Sequence, residues 1–275
     1  MNAPPLLNAL GASWNLSVPV VAAAWDADGQ SVGFALGDGH FAVADARWPD
    51  GPRVEPRPGG GVSLVAAATA AARPVRVACH QGTCLCLAAD ARGGFLTGGD
   101  DGRIVLVQRV GDPAVVSLRA GAWFDSVACS STGLRALGCG LVQRLQGDRS
   151  EPIELPVPAT AIAFSPDGMS LAIAHSGGVT LWHDSGKSRR LAWPGYHRTL
   201  AWSLDGRYLV TGMQENSLHG WRIADGGDIE MGGYPGQPLS LSFAHDGRYL
   251  STSGGMWPVC WRFDPRGAGL RWWCC

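Results

Sequence analysis

The sequence predicts an all-β protein built from repeated small sheets. Three observations predict it: a period of about 40 residues, apolar residues that alternate along short segments, and many glycines at turn positions. The chain has 275 residues, of which 39 are glycine and 12 are tryptophan. Hydrophobic residues make up 46% of the chain and charged residues only 16%, which excludes a chain disordered throughout. This length is enough for one large buried core, so we predict a single domain over residues 1–275.

The clearest copies of the repeat lie in the second half of the chain. In each copy an alternating apolar strand ends in Asp-Gly, and a short apolar run and then a tryptophan follow. The turn glycines are Gly168, Gly206 and Gly247, and the tryptophans are Trp182, Trp221 and Trp261. Successive glycines lie 38 and 41 residues apart and successive tryptophans 39 and 40, so two independent markers keep one period. That period is the length of a four-stranded propeller blade.

The residues within one copy explain why such a chain folds into blades. Ile162 and Phe164 alternate with alanines, and Leu241 and Phe243 alternate with serine and alanine, which is the pattern of a strand. The Asp-Gly pair permits the positive φ of a tight turn. One small sheet cannot bury both of its faces, but sheets stacked side by side bury them against each other. We therefore predict a β-propeller of four-stranded antiparallel blades.

Fainter copies upstream bring the number of units to six. The predicted units span about 20–45, 84–108, 123–145, 159–183, 197–223 and 238–263. A stretch rich in proline and glycine, about 47–73, separates the first two units and is predicted to be an inserted loop. Its alanine run, 66–72, is compatible with a strand or a short helix. The tail, 266–275, fits no copy of the repeat.

The copies resemble the WD-repeat family. Residues 165–168, Ser-Pro-Asp-Gly, match the family's commonest ending of the inner strand. Trp182, Trp221 and Trp261 stand where the family has its Trp-Asp dipeptide, although histidine or arginine follows each of them. The resemblance implies blades stabilised by hydrogen-bond networks of tryptophan, histidine and aspartate. The dipeptide has decayed, so most blades are expected to lack parts of these networks.

Other members of the implied networks have fewer matches. His197 matches the family's structural histidine, and Asp38 and Asp101 match its hairpin aspartate, whereas Glu-Asn occupies the corresponding place at 215–216. Family members commonly close a seven-bladed ring with an N-terminal strand, for which residues 14–18 are the candidate. The resemblance therefore implies an incomplete seven-bladed ring with an aberrant C-terminus, and a true six-bladed ring is the alternative.

Charge and hydropathy narrow the classes of partner. The formal net charge is −1, and no basic stripe typical of nucleic-acid binding occurs. No apolar run reaches the roughly 18–20 residues of a membrane span, and the N-terminal residues do not have the pattern of a signal peptide. We expect a cytoplasmic, monomeric protein with no cofactor, no nucleic-acid partner and no membrane partner.

The eight cysteines form no CxxC pair. The closest group of metal-ligating types is Cys79, His80, Cys84 and Cys86. A zinc site usually has two closely spaced pairs of ligands, so we predict that these cysteines are small buried side chains rather than ligands. A metal-linked accessory protein remains an alternative.

No group of residues has the pattern of an active site. Asp100 and Asp101 precede a glycine and are predicted to form a hairpin turn rather than a carboxylate pair. His183, Asp184 and Ser185 are adjacent, but no nucleophile elbow surrounds them. We therefore predict that the protein is not an enzyme. A propeller enzyme or a small-ligand sensor that uses the central channel remains a second alternative.

Binding is the function that remains. A propeller offers its faces and loops as a rigid platform, and aromatic side chains on loops often anchor protein partners. The candidate contact residues are Trp257, Tyr196, Tyr234 and Met213. The sequence thus predicts a non-catalytic scaffold that binds protein partners through its faces and loops.

Overall fold

Every element of the structure with assigned bounds is a strand, which confirms the all-β class predicted from the sequence. The computed structural model describes residues 9–108, 112–146, 149–263 and 271–274. The strands form antiparallel sheets of the propeller-blade type: four sheets of four strands, one of six and one of two. The contacts divide the chain into two compact units, Met1–Ala89 with Gly93–Gly121 and Asp90–Arg92 with Ala122–Cys275. The single domain over residues 1–275 stays a prediction from the sequence.

The first compact unit holds two four-stranded sheets and a separate hairpin. The first sheet consists, in spatial order, of β1 (Val20–Trp25), β2 (Ser31–Leu36), β3 (His40–Asp45) and β6 (Val75–Ala78). The hairpin consists of β4 (Arg53–Pro56) and β5 (Val62–Val65). The second sheet consists, in spatial order, of β7 (Cys84–Ala89), β8 (Phe95–Gly99), β9 (Arg103–Val107) and β10 (Ala114–Leu118).

The two four-stranded sheets of this unit bury apolar rings between them. The ring of Phe41 on β3 lies against that of Phe95 on β8, with 5.1 Å between the centroids. Both side chains are fully buried, and Val105 and Val107 of β9 belong to the same cluster. One face of the first sheet is therefore covered by the second sheet.

The second compact unit holds three sheets. The first of them consists, in spatial order, of β11 (Ser126–Cys129), β12 (Arg135–Gly138), β13 (Val142–Gln146) and β14 (Arg149–Ile153). The six-stranded sheet consists of β15 (Ala159–Phe164), β16 (Ser170–His183), β17 (Ser188–Trp202), β18 (Tyr208–Met213), β19 (Leu218–Arg222) and β20 (Asp228–Met231). The last sheet consists of β21 (Leu241–Phe243), β22 (Tyr249–Thr252), β23 (Val259–Arg262) and β24 (Arg271–Cys274).

The six-stranded sheet contains two of the predicted copies, because two of its strands are long and change partner part-way. In β16, the residues up to His175 pair with β15 and those from Ser176 onwards pair with β17. Strand β17 pairs with β16 as far as Tyr196, with an irregularity after Ala192, and with β18 from His197 onwards. The six units predicted from the sequence therefore lie on five sheets. Among the described residues no further blade sheet occurs, so the implied seventh blade has no counterpart there.

The Asp-Gly turns share one geometry in three successive copies. Gly168, Gly206 and Gly247 have φ angles of 72°, 69° and 67°, a region that residues with a Cβ rarely adopt. Each of these glycines donates its N–H to the carbonyl oxygen three residues earlier, at 2.8, 2.9 and 2.8 Å. The sequence prediction of tight turns with positive φ is confirmed at all three.

Successive copies in the second unit pack face to face. Phe164 packs against a cluster that includes Ala136 and Val142 of the preceding sheet. Trp202 packs against residues of the preceding copy and donates its indole N–H to the carbonyl oxygen of Ala163, at 3.2 Å. Phe243 packs against a cluster that includes Val210 of the copy before it. The aromatic residue that ends each inner strand is thus covered by the copy that precedes it.

Parts of the chain outside the clear copies differ from the predictions. The insertion at 47–73 contains the hairpin of β4 and β5 rather than only a loop, and its alanine run forms neither a strand nor a helix. Residues 14–18, the candidate closing strand, are not a strand; Ser17 has a φ of 64° and its N–H is bonded to Asn15 Oδ1. The tail that fits no copy supplies β24, the fourth strand of the last sheet.

Replacing Trp221 by alanine is expected to lower the free energy of unfolding by about 3–5 kcal/mol, because the side chain is only 2% exposed and leaves a cavity. Urea unfolding measures this change. Trp123→Ala is the matched control, since Trp123 is 67% exposed and its loss should cost within about 0.5 kcal/mol. A loss of unfolding free energy in Trp221→Ala as small as that in the control would contradict the buried position of Trp221.

Candidate functional site

A buried threonine occupies the same place in the second strand of three copies. These residues are Thr97 on β8, Thr211 on β18 and Thr252 on β22, and they are 0%, 0% and 3% exposed. A buried hydroxyl needs a hydrogen-bond partner, so each threonine marks a polar network inside the blade. The three networks are built from different residues.

The network around Thr97 contains a histidine and an aspartate. His80 Nε2 contacts the Thr97 hydroxyl, and His80 Nδ1 lies 3.0 Å from Asp101 Oδ1. Burial alone would raise the pKa of Asp101, but hydrogen bonds from the Gln81 amide and His80 outweigh burial and hold the pKa below its usual value. Asp101, for which the resemblance to WD repeats predicted a hydrogen-bond network, contacts His80 here.

The network around Thr211 contains His197 and lies against Trp221. His197 Nδ1 is 2.7 Å from Thr211 Oγ1, and His197 Nε2 is 3.2 Å from the carbonyl oxygen of Trp193. The rings of His197 and Trp221 lie 5.7 Å apart. The structure therefore brings together the histidine and tryptophan that the resemblance implied for this copy.

In the network around Thr252 a tyrosine takes the place of histidine. The Tyr234 hydroxyl lies 2.6 Å from Thr252 Oγ1 and accepts a hydrogen bond from the indole N–H of Trp261. Thr252 in turn donates to the carbonyl oxygen of Val259 at 3.2 Å. The polar side-chain groups of this cluster are all hydrogen-bonded within it, so the side chains of Tyr234 and Trp261 are held in place. These two side chains form the floor of the cavity described below.

Two predicted repeat residues take other roles. Asp38 forms an ion pair with Arg76, at 2.7 Å, and accepts the N–H of His40. Trp182 is half-buried and packs against its copy's core, with the Arg144 guanidinium 5.5 Å from its ring centroid.

The histidine of the candidate metal group is the one used in the Thr97 network. Burial raises the pKa of the Cys79 thiol to about 12 and also raises that of Cys84. Cys84 donates to the carbonyl oxygen of His40 at 3.3 Å. Within the described ranges no group of three or more His, Cys, Asp or Glu side chains is arranged to hold a metal ion.

An apolar cavity opens above the Tyr234–Trp261 floor. It has a volume of about 410 Å³, within the size range of ligand pockets. Its walls come from the segment after β20 and the segment between β22 and β23. The lining residues are Gly232, Gly233, Tyr234, Pro235, Gly255, Met256, Trp257, Val259 and Trp261, and we call this cavity the Trp257 pocket. None of these described lining residues carries a charged side chain.

The rim of the Trp257 pocket is exposed. Trp257 is 68% exposed and Met256 is 93% exposed, although both are large apolar side chains. On the other side of this two-residue tip lies a hollow of about 300 Å³. It is lined by Ser240, Ser242, Ser251, Thr252, Ser253, Gly255, Met256, Trp257 and Pro258, and we call it the serine hollow. An apolar pocket and a hydroxyl-rich hollow thus flank one projecting tryptophan.

The four predicted contact residues are not all in one place. Trp257 and Tyr234 both line the Trp257 pocket. Tyr196 is 41% exposed on a different segment, where its N–H is bonded to the Glu215 carboxylate at 3.0 Å. Met213 is 3% exposed and therefore offers almost no surface to a partner. Of the four, only Trp257 and Tyr234 line the same cavity, and only Trp257 of these two is exposed.

His219 on β19 is a lone histidine in the core of its copy. Its ring stacks on Trp193, with 3.7 Å between the centroids, and meets the edge of Trp221 at 4.6 Å. The side chain is fully buried, and neither ring nitrogen has a hydrogen-bond partner. Burial lowers the pKa of His219 to about 4. The neutral ring therefore acts as a core aromatic.

Comparison with known proteins leaves the family of the chain open: no family model matches it, and no curated protein matches it significantly. Among the residues that the structure describes, no helix is long and apolar enough to cross a bilayer.

Replacing His219 by phenylalanine is expected to reduce the loss of stability on acidification. The unfolded chain takes up a proton near pH 6.5 and the folded chain only near pH 4, so the contribution of neutral His219 is complete above pH 6.5 and is lost as the pH falls towards 4. Between pH 7 and 5 the wild type should lose about 2 kcal/mol more than the variant. Urea unfolding at both values measures this difference.

His245→Gln is the control for the removal of a histidine, because His245 is exposed. Equal losses in the wild type and in His219→Phe would contradict a buried, neutral His219.

Proposed function

We propose that this chain is a non-catalytic scaffold of the WD-repeat type that binds a protein partner by taking an apolar side chain of that partner into the Trp257 pocket. The observation that carries the proposal is the pocket itself. A cavity of about 410 Å³ is bordered by the exposed side chains of Trp257 and Met256. Exposed tryptophans beside a preformed pocket are typical anchor points of protein interfaces.

The chemistry of the pocket favours a peptide over a polar small molecule. The Tyr234 hydroxyl is already bonded to Thr252 and Trp261, so the walls offer little polar side-chain recognition. A Cβ built on Gly232 or Gly233 would have open space around it, which means that the backbone there is accessible to an approaching chain. An extended segment with one apolar residue fits a wall of accessible main chain and an apolar cavity.

The side chains at the floor of the Trp257 pocket are held in place, which supports a preformed site. Tyr234 and Trp261 are 8% and 6% exposed and are held by the Thr252 network. A side chain that enters the pocket would meet a fixed floor, so little conformational entropy would be lost in the scaffold.

A cytoplasmic location belongs to the same proposal. Cys79, Cys84 and Cys129 are thiols rather than members of disulfides, and burial raises the pKa of Cys129 to about 12. Buried, protonated thiols suit a reducing compartment.

Selection of a displayed random-peptide library on the intact protein tests the proposal. We expect enrichment of peptides with a bulky apolar residue, and Trp257→Ala should weaken their binding at least 30-fold, which corresponds to about 2 kcal/mol. Trp123→Ala is the matched control, since Trp123 is equally exposed in the same compact unit and does not line the pocket. Isothermal titration calorimetry measures the affinity of a selected peptide for the wild type and for each of the two variants. Peptides that bind Trp257→Ala as tightly as the wild type would disprove the site.

A further inference from the structure

The six-stranded sheet ends at β20 (Asp228–Met231), and one edge of this strand is open. On its other side β20 pairs with β19. Among the described residues, no backbone hydrogen bond outside the sheets involves these four residues. An open edge presents main-chain N–H and C=O groups, to which an extended chain can be added as a further strand.

Both faces of the copy that contains β20 are covered within the second compact unit. Trp221 of β19 packs against Leu181 of the preceding copy. Met231 of β20 packs against Leu250 of the last sheet. The edge of β20 and the Trp257 pocket are therefore both formed by residues of this one unit.

The side chains of β20 alternate between acidic and apolar. Asp228 and Glu230 are exposed, whereas Ile229 and Met231 pack in the cluster that contains Tyr234. Because successive side chains of a strand point to opposite faces, the two carboxylates share one face and the two apolar side chains share the other. A strand added to this edge continues both faces, so its residues would meet the carboxylates and the apolar side in turn.

The two carboxylates of β20 have no compensating cation. None of the ion pairs among the described residues involves either of them. Their cross-strand neighbours on β19 are Trp221 and His219. Arg222, the arginine nearest along the chain, is bonded to Asp225 instead, at 2.7 Å. The charge of this edge is therefore available to a partner.

Two other outer strands have an ion pair where β20 has none. Arg76 on β6 is paired with Asp38 at 2.7 Å, and Glu151 on β14 is paired with Arg144 at 3.1 Å. The acidic edge of β20 is complementary to a basic strand. It also disfavours pairing of β20 with the β20 of a second copy, since like charges would lie opposite each other.

The Trp257 pocket begins where β20 ends. Gly232 and Gly233 directly follow Met231, and both line the pocket. A Cβ built on either glycine would meet no atom within 4 Å. An extended chain that lies along β20 therefore continues past the open side of the pocket, where one of its side chains can enter.

We propose that the partner segment is extended and basic: it adds to the edge of β20 as a further strand, places lysine or arginine side chains beside Asp228 and Glu230, and puts an apolar residue into the Trp257 pocket. The apolar anchor rests on the function proposed above, and the basic strand adds the class of partner. The two basic residues lie two positions apart, because every second residue of a strand faces the same side. The anchor lies two or three residues beyond the nearer one, opposite Gly232 or Gly233.

Isothermal titration calorimetry of synthetic peptides against the full chain tests the basic residues. Each peptide has a leucine anchor and two lysines two positions apart, with the leucine on either side because the strand can add in either direction. A matched set has serine in place of lysine. The wild type should bind the better lysine peptide about fivefold more tightly than its serine counterpart, and added salt should reduce this preference. Asp228→Asn/Glu230→Gln should lose the preference.

Asp28→Asn/Glu154→Gln is the matched control variant. It also removes two exposed carboxylates, so the net charge changes equally, but neither residue lies on β20. Its preference for lysine should equal that of the wild type. Both double variants change exposed residues, and their thermal unfolding should match that of the wild type. A wild type that does not prefer lysine, or an Asp228→Asn/Glu230→Gln variant that still does, overturns the proposal.

Methylation of single backbone nitrogens in the lysine peptide tests the added strand without altering the protein. In such a strand every second N–H points towards β20. Methylation should therefore weaken binding about tenfold at alternate positions and be tolerated at the positions between them. Tolerance at every position would show that the peptide does not pair with β20.

The strand addition and the pocket function fail in different ways. If peptides bind the wild type more tightly than Trp257→Ala but show neither the lysine preference nor the alternating effect of methylation, the added strand is wrong and the pocket function stands. If Trp257→Ala binds every peptide as tightly as the wild type does, the pocket function itself is wrong.

Discussion

A sheet with apolar side chains on both faces must be covered on both sides. The copy at 159–183 has such a sheet: Ile162 and Phe164 lie towards one neighbour, while Ala172 and Leu181 lie towards the other. A single blade leaves one or both faces in water, at a cost of about 25 cal/mol for each Å² of apolar surface. The period of about 40 residues, the turns and the aromatic positions all serve this face-to-face packing.

The polar networks within the blades keep the same position from copy to copy, although the residues that form them differ. A threonine at a constant place meets His80 in one copy, His197 in another and Tyr234 in a third. Histidine and tyrosine both bring an aromatic ring and a polar atom to the same position, so either can satisfy the buried hydroxyl. The tryptophan or the aspartate can then be lost in a given copy without leaving the threonine unpaired. Three copies thus keep a buried, hydrogen-bonded threonine although its partners differ.

The sequence was sufficient for features that depend on neighbours along the chain. The Asp-Gly turns and the alternating strands follow from local propensity, and their spacing predicted the blades. It was insufficient where residues meet across strands, because the partnership of His80 with Thr97 depends on the register of the sheet. Strand β24 has no alternating pattern, and the Trp257 pocket depends on the paths of two loops, which no local pattern specifies.

Native-state hydrogen exchange, resolved by peptide mass spectrometry, tests the face-to-face packing most directly. The account predicts slow exchange at the buried second strands, β8, β12, β18 and β22, with faster exchange at the turns between them, and hence protection that recurs with a period of about 40 residues. Uniformly fast exchange through Ala161–Trp261, or protection without that period, would contradict a chain built from repeated sheets that cover one another.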